Sequence, residues 1–383
     1  MADLPIFLDY NSTTPVDAKV LEWMMPAFTL HYGNPSSSNH PFGWAASEFI
    51  KIAREEVAEL IGSEPGEIIF TSGATEAINL AIKGVAEAYS QKGRHIITFS
   101  TEHKAVLDTC SYLDSKGFSI TKLGVDNNGL PDLNELEESI TGETILIAAM
   151  YANNETGVIF PVKDIAEIAK KHKILFFSDA TQAAGKIPVN FREDGIHIAS
   201  ISAHKLYGPK GAGALYISRK NPRVSLLPLI HGGGHEKGLR SGTLNVPGIA
   251  GLGRACKLAK ENLQLFEKLS ELRNLLEVNL LKIPGSFVNG SLTKRLPNVT
   301  NIGFSEIEGK RLLAGISPKI AVSSGSACTS ALPQPSHVLK AMGLSDPHAA
   351  ASLRFSLGKY TNLEEINFTT ELVTQTVNNL KAI

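Results

Sequence analysis

The chain has 383 residues, with 37 Lys and Arg against 38 Asp and Glu, a formal net charge of −1. That balance leaves no basic excess or basic block to bind nucleic acid or a membrane surface. The longest apolar runs, such as ILIAAM and ILFF, fall far short of the ~20 residues that a membrane-spanning helix needs. A hydrophobic content of 43% and a charged content of 20% are ordinary for a globular protein. Length alone suggests roughly two to three domains. Cys110, Cys256 and Cys328 form an odd, sparse set and not a disulfide framework, which points to a reducing compartment. The opening MADLPIFLDYN has no basic region followed by an apolar core, so a cytoplasmic enzyme is expected.

Taken in chain order, ASEFIKIAREEVAELI predicts a helix, EIIF a strand and ATEAINLAIKGVAEAYS a second helix. Between that strand and helix, Gly73 permits a tight turn and Ala74 and Thr75 open the helix. Unpaired N–H groups and a partial positive charge at such an end suit a phosphate, although an ordinary Ser/Thr cap is the plainer reading of the motif alone. The strand HIITFS leads to His103, a residue type that in this place is more often a cap or packing group than a catalyst. KAVLDTCSYLDS is a helix, TILIAAM a strand and VKDIAEIAKKH a helix. ILFFSDA then ends in Asp179, with Gln182 three residues on. A carboxylate there either caps a helix or pairs with a protonated ring nitrogen.

IHIASIS runs straight into His204 and Lys205, followed by the turn YGPKG and the strand GALYI. A lysine leaving an apolar strand usually reaches for water. This one is braced among small and stiff residues, and a positioned, desolvated amine is what Schiff-base chemistry requires. The alternation from about residue 43 to about residue 220 reads as a largely parallel sheet covered by helices on both faces. Ligands of such sheets lie beyond the carboxyl ends of the strands. Beyond RSGTLNVPG, residues from about 246 to 283 read as one long helical region, with the weaker strand NVTNIGF and a final helix near 363 to 380. The expected organisation is an N-terminal segment, 1–15, packing with the smaller domain, a large domain over 16–257 and a small domain over 258–383. In that last part SSGSACTSALPQPSHVL places Cys328 among small residues, as an incidental thiol or as a nucleophile free to travel. Arg354, in SLRFSLG, offers a planar fork suited to a carboxylate. A phosphate cradle, a histidine, a carboxylate for a ring nitrogen and a lysine, gathered at four strand ends, match pyridoxal 5′-phosphate (PLP).

With these residues in view the chain resembles the cysteine desulfurases of the class V aminotransferase family, from FLDYNSTTPVD to LRFSLGKYTN. SAHKLYGPKG, NNETG, SDATQ, GGGHEKGLRSGT and SSGSACTS carry the resemblance, the last pointing to the group with a long, mobile nucleophile loop. It implies the α/β fold of PLP-dependent transferases of fold type I, a mostly parallel, seven-stranded-type sheet in a large domain with a smaller α+β domain. Lys205 then resembles the Schiff-base lysine and His103 the histidine stacked on the PLP ring, which also helps move protons. Asp179 would pair with the pyridinium nitrogen and Gln182 would bond the phenolic oxygen. Ala74, Thr75, Ser202 and His204 resemble phosphate contacts, and Thr243 one reaching across from the other subunit of a homodimer. Asn34, Asn154 and Arg354 resemble holders of the substrate carboxylate. The implied reaction converts L-cysteine to L-alanine, Cys328 taking the sulfur as a persulfide for an acceptor or scaffold protein, as in iron–sulfur cluster assembly. No metal and no membrane is implied, and no nucleic acid apart from an indirect route to tRNA thiolation. Many relatives carry a further tail that docks an iron–sulfur scaffold; this sequence ends at TQTVNNLKAI, so docking through such a tail is not expected. The competing readings are another class V aminotransferase or β-lyase, a selenocysteine lyase, and a non-catalytic sulfur-carrier partner. Cys328 separates the desulfurase from the first, and a retained Lys205 argues against the last.

Overall fold

The computed structural model describes residues 4–324 and 335–382. Cys328 lies outside them. The strands are β1 (Ile6–Phe7), β2 (Ile68–Thr71), β3 (His95–Phe99), β4 (Ser119–Leu123), β5 (Thr144–Ala148), β6 (Leu175–Asp179), β7 (Ile198–Ser202), β8 (Gly213–Ile217), β9 (Ser286–Val288), β10 (Val299–Phe304), β11 (Ile320–Ala321) and β12 (Ser352–Ser356). Seven of them make one sheet in the order β2-β8-β7-β6-β5-β3-β4, parallel except at both edges of β8. This is the mostly parallel sheet that the sequence predicts.

The apolar runs become strands because both faces of the sheet are covered. Phe176 and Phe177 show the two-residue period: one packs into the core on one face, the next into the core on the other. Helices Ala74–Ala88 and Lys104–Asp114 cover the second face, burying Ile78, Ile82, Val85 and Val106. Helices Pro41–Ile61, Val162–Lys171 and Val246–Glu261 cover the first. β4 escapes prediction because Ser119, Thr121 and Lys122 give this edge strand a polar sequence.

A third core lies around the antiparallel sheet β12-β10-β9 and helices Leu265–Leu280, Gly309–Ile316 and Leu363–Lys381. The N-terminal segment joins it: β1 pairs with β11, and Leu8 is fully buried there. The expected single helical region over 246–283 is instead two helices, Val246–Glu261 and Leu265–Leu280. Asn262 breaks it, its backbone leaving the helical region while its amide donates back to the Leu258 carbonyl at 2.7 Å. No helix among the described residues is long and apolar enough to cross a membrane.

One buried ion pair fixes the glycine-rich segment before Thr243. The Glu236 carboxylate accepts from Arg54 Nη2 at 2.6 Å, from Arg54 Nη1 at 3.1 Å and from the Phe70 backbone N–H at 2.8 Å. Glu236 and Lys237 both take positive φ, 48° and 60°, a conformation that costs energy for residues with a side chain. The bonds to Arg54 and Phe70 offset that cost. Arg54→Ala leaves a buried carboxylate without its cation, so a loss of roughly 3 kcal/mol is expected in urea unfolding. A midpoint within error of wild type would show that other contacts hold this segment.

Candidate active site

A cavity of about 540 Å³ opens beyond the carboxyl ends of β3, β5, β6 and β7. Ten residues singled out in the sequence line it: Ala74, Thr75, His103, Asn154, Asp179, Gln182, Ser202, His204, Lys205 and Arg354. Asn34 and Thr243 do not. Asn34 is exposed and holds the Ser36 N–H at 2.9 Å, and Thr243 is exposed on the segment after Gly242.

At the phosphate-cradle end, Gly73 begins the helix Ala74–Ala88 without any side-chain cap. A Cβ built on Gly73 would meet only Ser202 Oγ, at 3.8 Å, so the space above the first turn is open. The helix start thus presents backbone donors to the cavity, and an anion fits that partial positive charge. Beside it, burial and then the charges of Lys205, Lys210 and Lys186 push the His204 ring down to about 4. His204 is therefore neutral at neutral pH, and its Nδ1 lies 3.2 Å from Thr13 Oγ1.

Asp179 ends β6 and is 8% exposed. Its Oδ1 accepts from Thr181 N–H at 3.1 Å, Thr181 Oγ1 at 2.5 Å and Ser200 Oγ at 2.9 Å. These bonds fix the carboxylate and all use one oxygen, which leaves Oδ2 for a protonated ring nitrogen. His103 caps the helix Lys104–Asp114, its Nδ1 accepting the Ala105 N–H at 3.1 Å. His103 is thus a helix cap that also lines the cavity, and the bond leaves Nε2 as the nitrogen that carries the proton in the neutral tautomer. Lys205 Nζ donates to the carbonyls of Asn11 and Ser12, each at 2.6 Å. Arg354, on β12, is 4% exposed and donates to the Asn154 carbonyl at 2.9 Å and to Asp9 Oδ1 at 2.6 Å. Its Nε is buried with no partner among the described residues. The donor set fits PLP: helix N–H groups for the phosphate, Asp179 for the ring nitrogen and Lys205 for the aldehyde.

Sequence reasoning missed Asp9, Asn11, Glu102 and Lys186. Asp9 and Asn11 lie in a motif noted only for its resemblance, and the position of Asp9 directly after the apolar run IFL, with Asn11 two residues on, was the available signal. Glu102 is fully buried one residue before His103, its Oε1 accepting the Met150 N–H at 2.6 Å. Burial, reinforced by the Asp179 charge, raises its pKa well above the ordinary value, against the Met150 bond.

This sheet, with a lysine, a fixed carboxylate and an open helix start at its strand ends, defines a PLP-dependent enzyme of fold type I. The chain belongs to the aminotransferase class-V family, which matches residues 6–368. It is 49% identical over 381 residues to the cysteine desulfurase IscS of Pectobacterium carotovorum, covering 99% of this chain and 94% of that one. Among solved structures, a NifS-like protein superposes with a TM-score of 0.92 at 41% identity, covering 98% of this chain and 100% of that one. SspA in complex with cysteine does so with a TM-score of 0.82 at 38% identity, covering 93% and 100%.

The state of Glu102 has a measurable sign. Above the unfolded-state value of 4.5 the unfolded chain releases this proton while the folded chain keeps it, so Glu102 lowers stability as pH rises towards its folded value. Glu102→Gln removes that slope. The melting temperature of the variant relative to wild type should rise between pH 5 and pH 8, and a difference constant with pH would mean that Glu102 is ionised in the fold.

Proposed function

We propose that the protein is a cysteine desulfurase, which converts L-cysteine and the Cys328 thiol into L-alanine and a Cys328 persulfide. The observation that carries this reading is the meeting of Lys205, Asp179, His103 and Arg354 around one cavity that also contains an open helix start. The likeness to the cysteine desulfurase of Pectobacterium and to a protein solved with cysteine supports it.

Bound PLP supplies an electron sink for the bonds broken at the substrate's α- and β-carbons. Ala74, Thr75, Ser202 and His204 hold its phosphate, Asp179 its ring nitrogen and Gln182 its phenolic oxygen. Arg354 and Asn154 hold the substrate carboxylate, and Asp9 aims the Arg354 fork. Lys205 Nζ takes the α-proton, and His103 assists at its Nε2. Cys328 Sγ attacks the substrate sulfur: the S–S bond forms as the C–S bond breaks. The electron pair of that bond, with a proton, completes the methyl group of alanine.

The other two thiols are poor rivals for this role. Cys110 and Cys256 are buried on helices, and burial is the main cause that pushes Cys110 up to about 12 and Cys256 further still. The residues that flank the Cys328 segment are tied to the site. Ser323 exchanges backbone bonds with Arg354, and Ser336 donates to Glu155 Oε2 at 2.5 Å, one residue from Asn154.

The chain works as a two-fold dimer in which Thr243 serves the partner's cavity, consistent with its exposure on its own chain. The persulfide passes to an acceptor protein in the cytoplasm. Lys205→Ala should lose the yellow absorbance of the purified protein and essentially all turnover. Cys328→Ser should keep that absorbance, bind L-cysteine and form no alanine above background, since a hydroxyl does not accept sulfur at neutral pH. Mass spectrometry after L-cysteine treatment should place an added sulfur on Cys328 and none on Cys110 or Cys256. Alanine release at the wild-type rate by Cys328→Ser would replace this mechanism with an ordinary PLP lyase. Arg354→Lys should raise the half-saturating cysteine concentration about tenfold or more, because a lysine cannot form two parallel bonds.

A further inference from the structure

Lys186 is 5% exposed and lies four residues beyond Gln182, in the turns that follow β6. Its Nζ donates to Gln182 Oε1 at 2.5 Å and to Asn11 Oδ1 at 2.9 Å. Gln182 Nε2 donates to the Asn11 carbonyl at 2.9 Å. A lysine nitrogen donates and a backbone carbonyl only accepts, so both contacts require the same orientation of the Gln182 amide. In that orientation the amide nitrogen keeps a second hydrogen beyond the one given to Asn11, and Gln182 lines the cofactor cavity.

We infer that Lys186 is a positioning residue: it clamps Gln182 Oε1 so that the amide presents a donor, and not an acceptor, to the phenolic oxygen of the cofactor. The inference rests on the PLP reading of the cavity. Without Lys186 only the bond to the Asn11 carbonyl opposes a turn of the amide, which would set its oxygen against an oxygen and repel. The charged and titratable groups around Lys186 are Lys205, Arg354 and His204. Burial, then Lys205 and Arg354, lower the Lys186 pKa well below that of a free lysine. A neutral amine still carries hydrogens for Gln182 Oε1 and Asn11 Oδ1, so both bonds can form in either charge state.

A donor on the phenolic oxygen competes for the proton that this oxygen shares with the adjoining nitrogen of bound cofactor. Losing the donor lets that proton be held to higher pH. Titration of the holoprotein, followed by its visible absorbance, reads this directly. Gln182→Ala and Lys186→Met should each raise the midpoint by about 0.5 to 1 pH unit, the worth of one hydrogen bond. The double variant should rise no further, because Lys186 acts through Gln182. An unchanged midpoint in cofactor-loaded Lys186→Met overturns the inference, and so do two shifts that sum. If Lys186→Met does not accumulate, Lys186→Leu, which has no polar group, withdraws the donor and gives the same comparison. Alkali-released PLP is measured in parallel. Wild-type protein that yields none overturns the cofactor reading itself, and this inference with it.

Discussion

Asn11 uses every polar group it has, and the site depends on it. Its carbonyl accepts from Lys205 and Gln182, its Oδ1 from Lys186 and Asn298, its N–H reaches Ser356 Oγ and its Nδ2 reaches the Asn154 carbonyl. All six of these partners lie 143 to 345 positions away in sequence. The residue is 1% exposed, so each of these bonds forms away from competing water. One short N-terminal segment therefore joins the end of β7, the turn after β6 and the strand β12 of the smaller sheet. Its hold explains why a lysine from one sheet and an arginine from another face the same cavity.

Burial then sets the chemical state of the groups around that hub. His204 is kept neutral beside three lysines, while burial and then Asp179 raise the pKa of Glu102. Asp179 itself has three donors on one oxygen. The cavity thus holds one fixed carboxylate on one side and an anion-seeking helix start on the other. A zwitterionic ring bearing a phosphate matches that division.

Much of the sheet and the site is legible in the sequence, because strands buried on both faces appear as unbroken apolar runs. Residues just beyond such runs, namely His103, Asp179, His204 and Lys205, fall at the cavity for topological reasons. β4 is hidden by its polar edge position. The break at Asn262 is hidden because a single asparagine does not interrupt the helical spacing on either side. Lys186 is the instructive omission: in AAGKIP it looks like a lysine of an exposed turn, and only the fold shows that two amides replace water around it. Asp9 and Asn11 are hidden for the same reason, since their partners are distant in the chain. Cys328 belongs to the part that sequence alone describes.

The segment that carries Thr243 is anchored within its own chain, through Glu236 to Arg54 and through Arg240 to Glu76. In the proposed dimer it serves the neighbouring cavity, so damage and its effect fall on different polypeptides. A chain crippled at Lys205 still lends a sound Thr243, and a chain crippled at Thr243 still offers a sound Lys205. Co-expressed, the two form hybrids with one site doubly broken and the other whole. Two inactive alleles would thus restore up to half the activity of each mixed dimer, an intragenic complementation that a self-contained monomeric site cannot show.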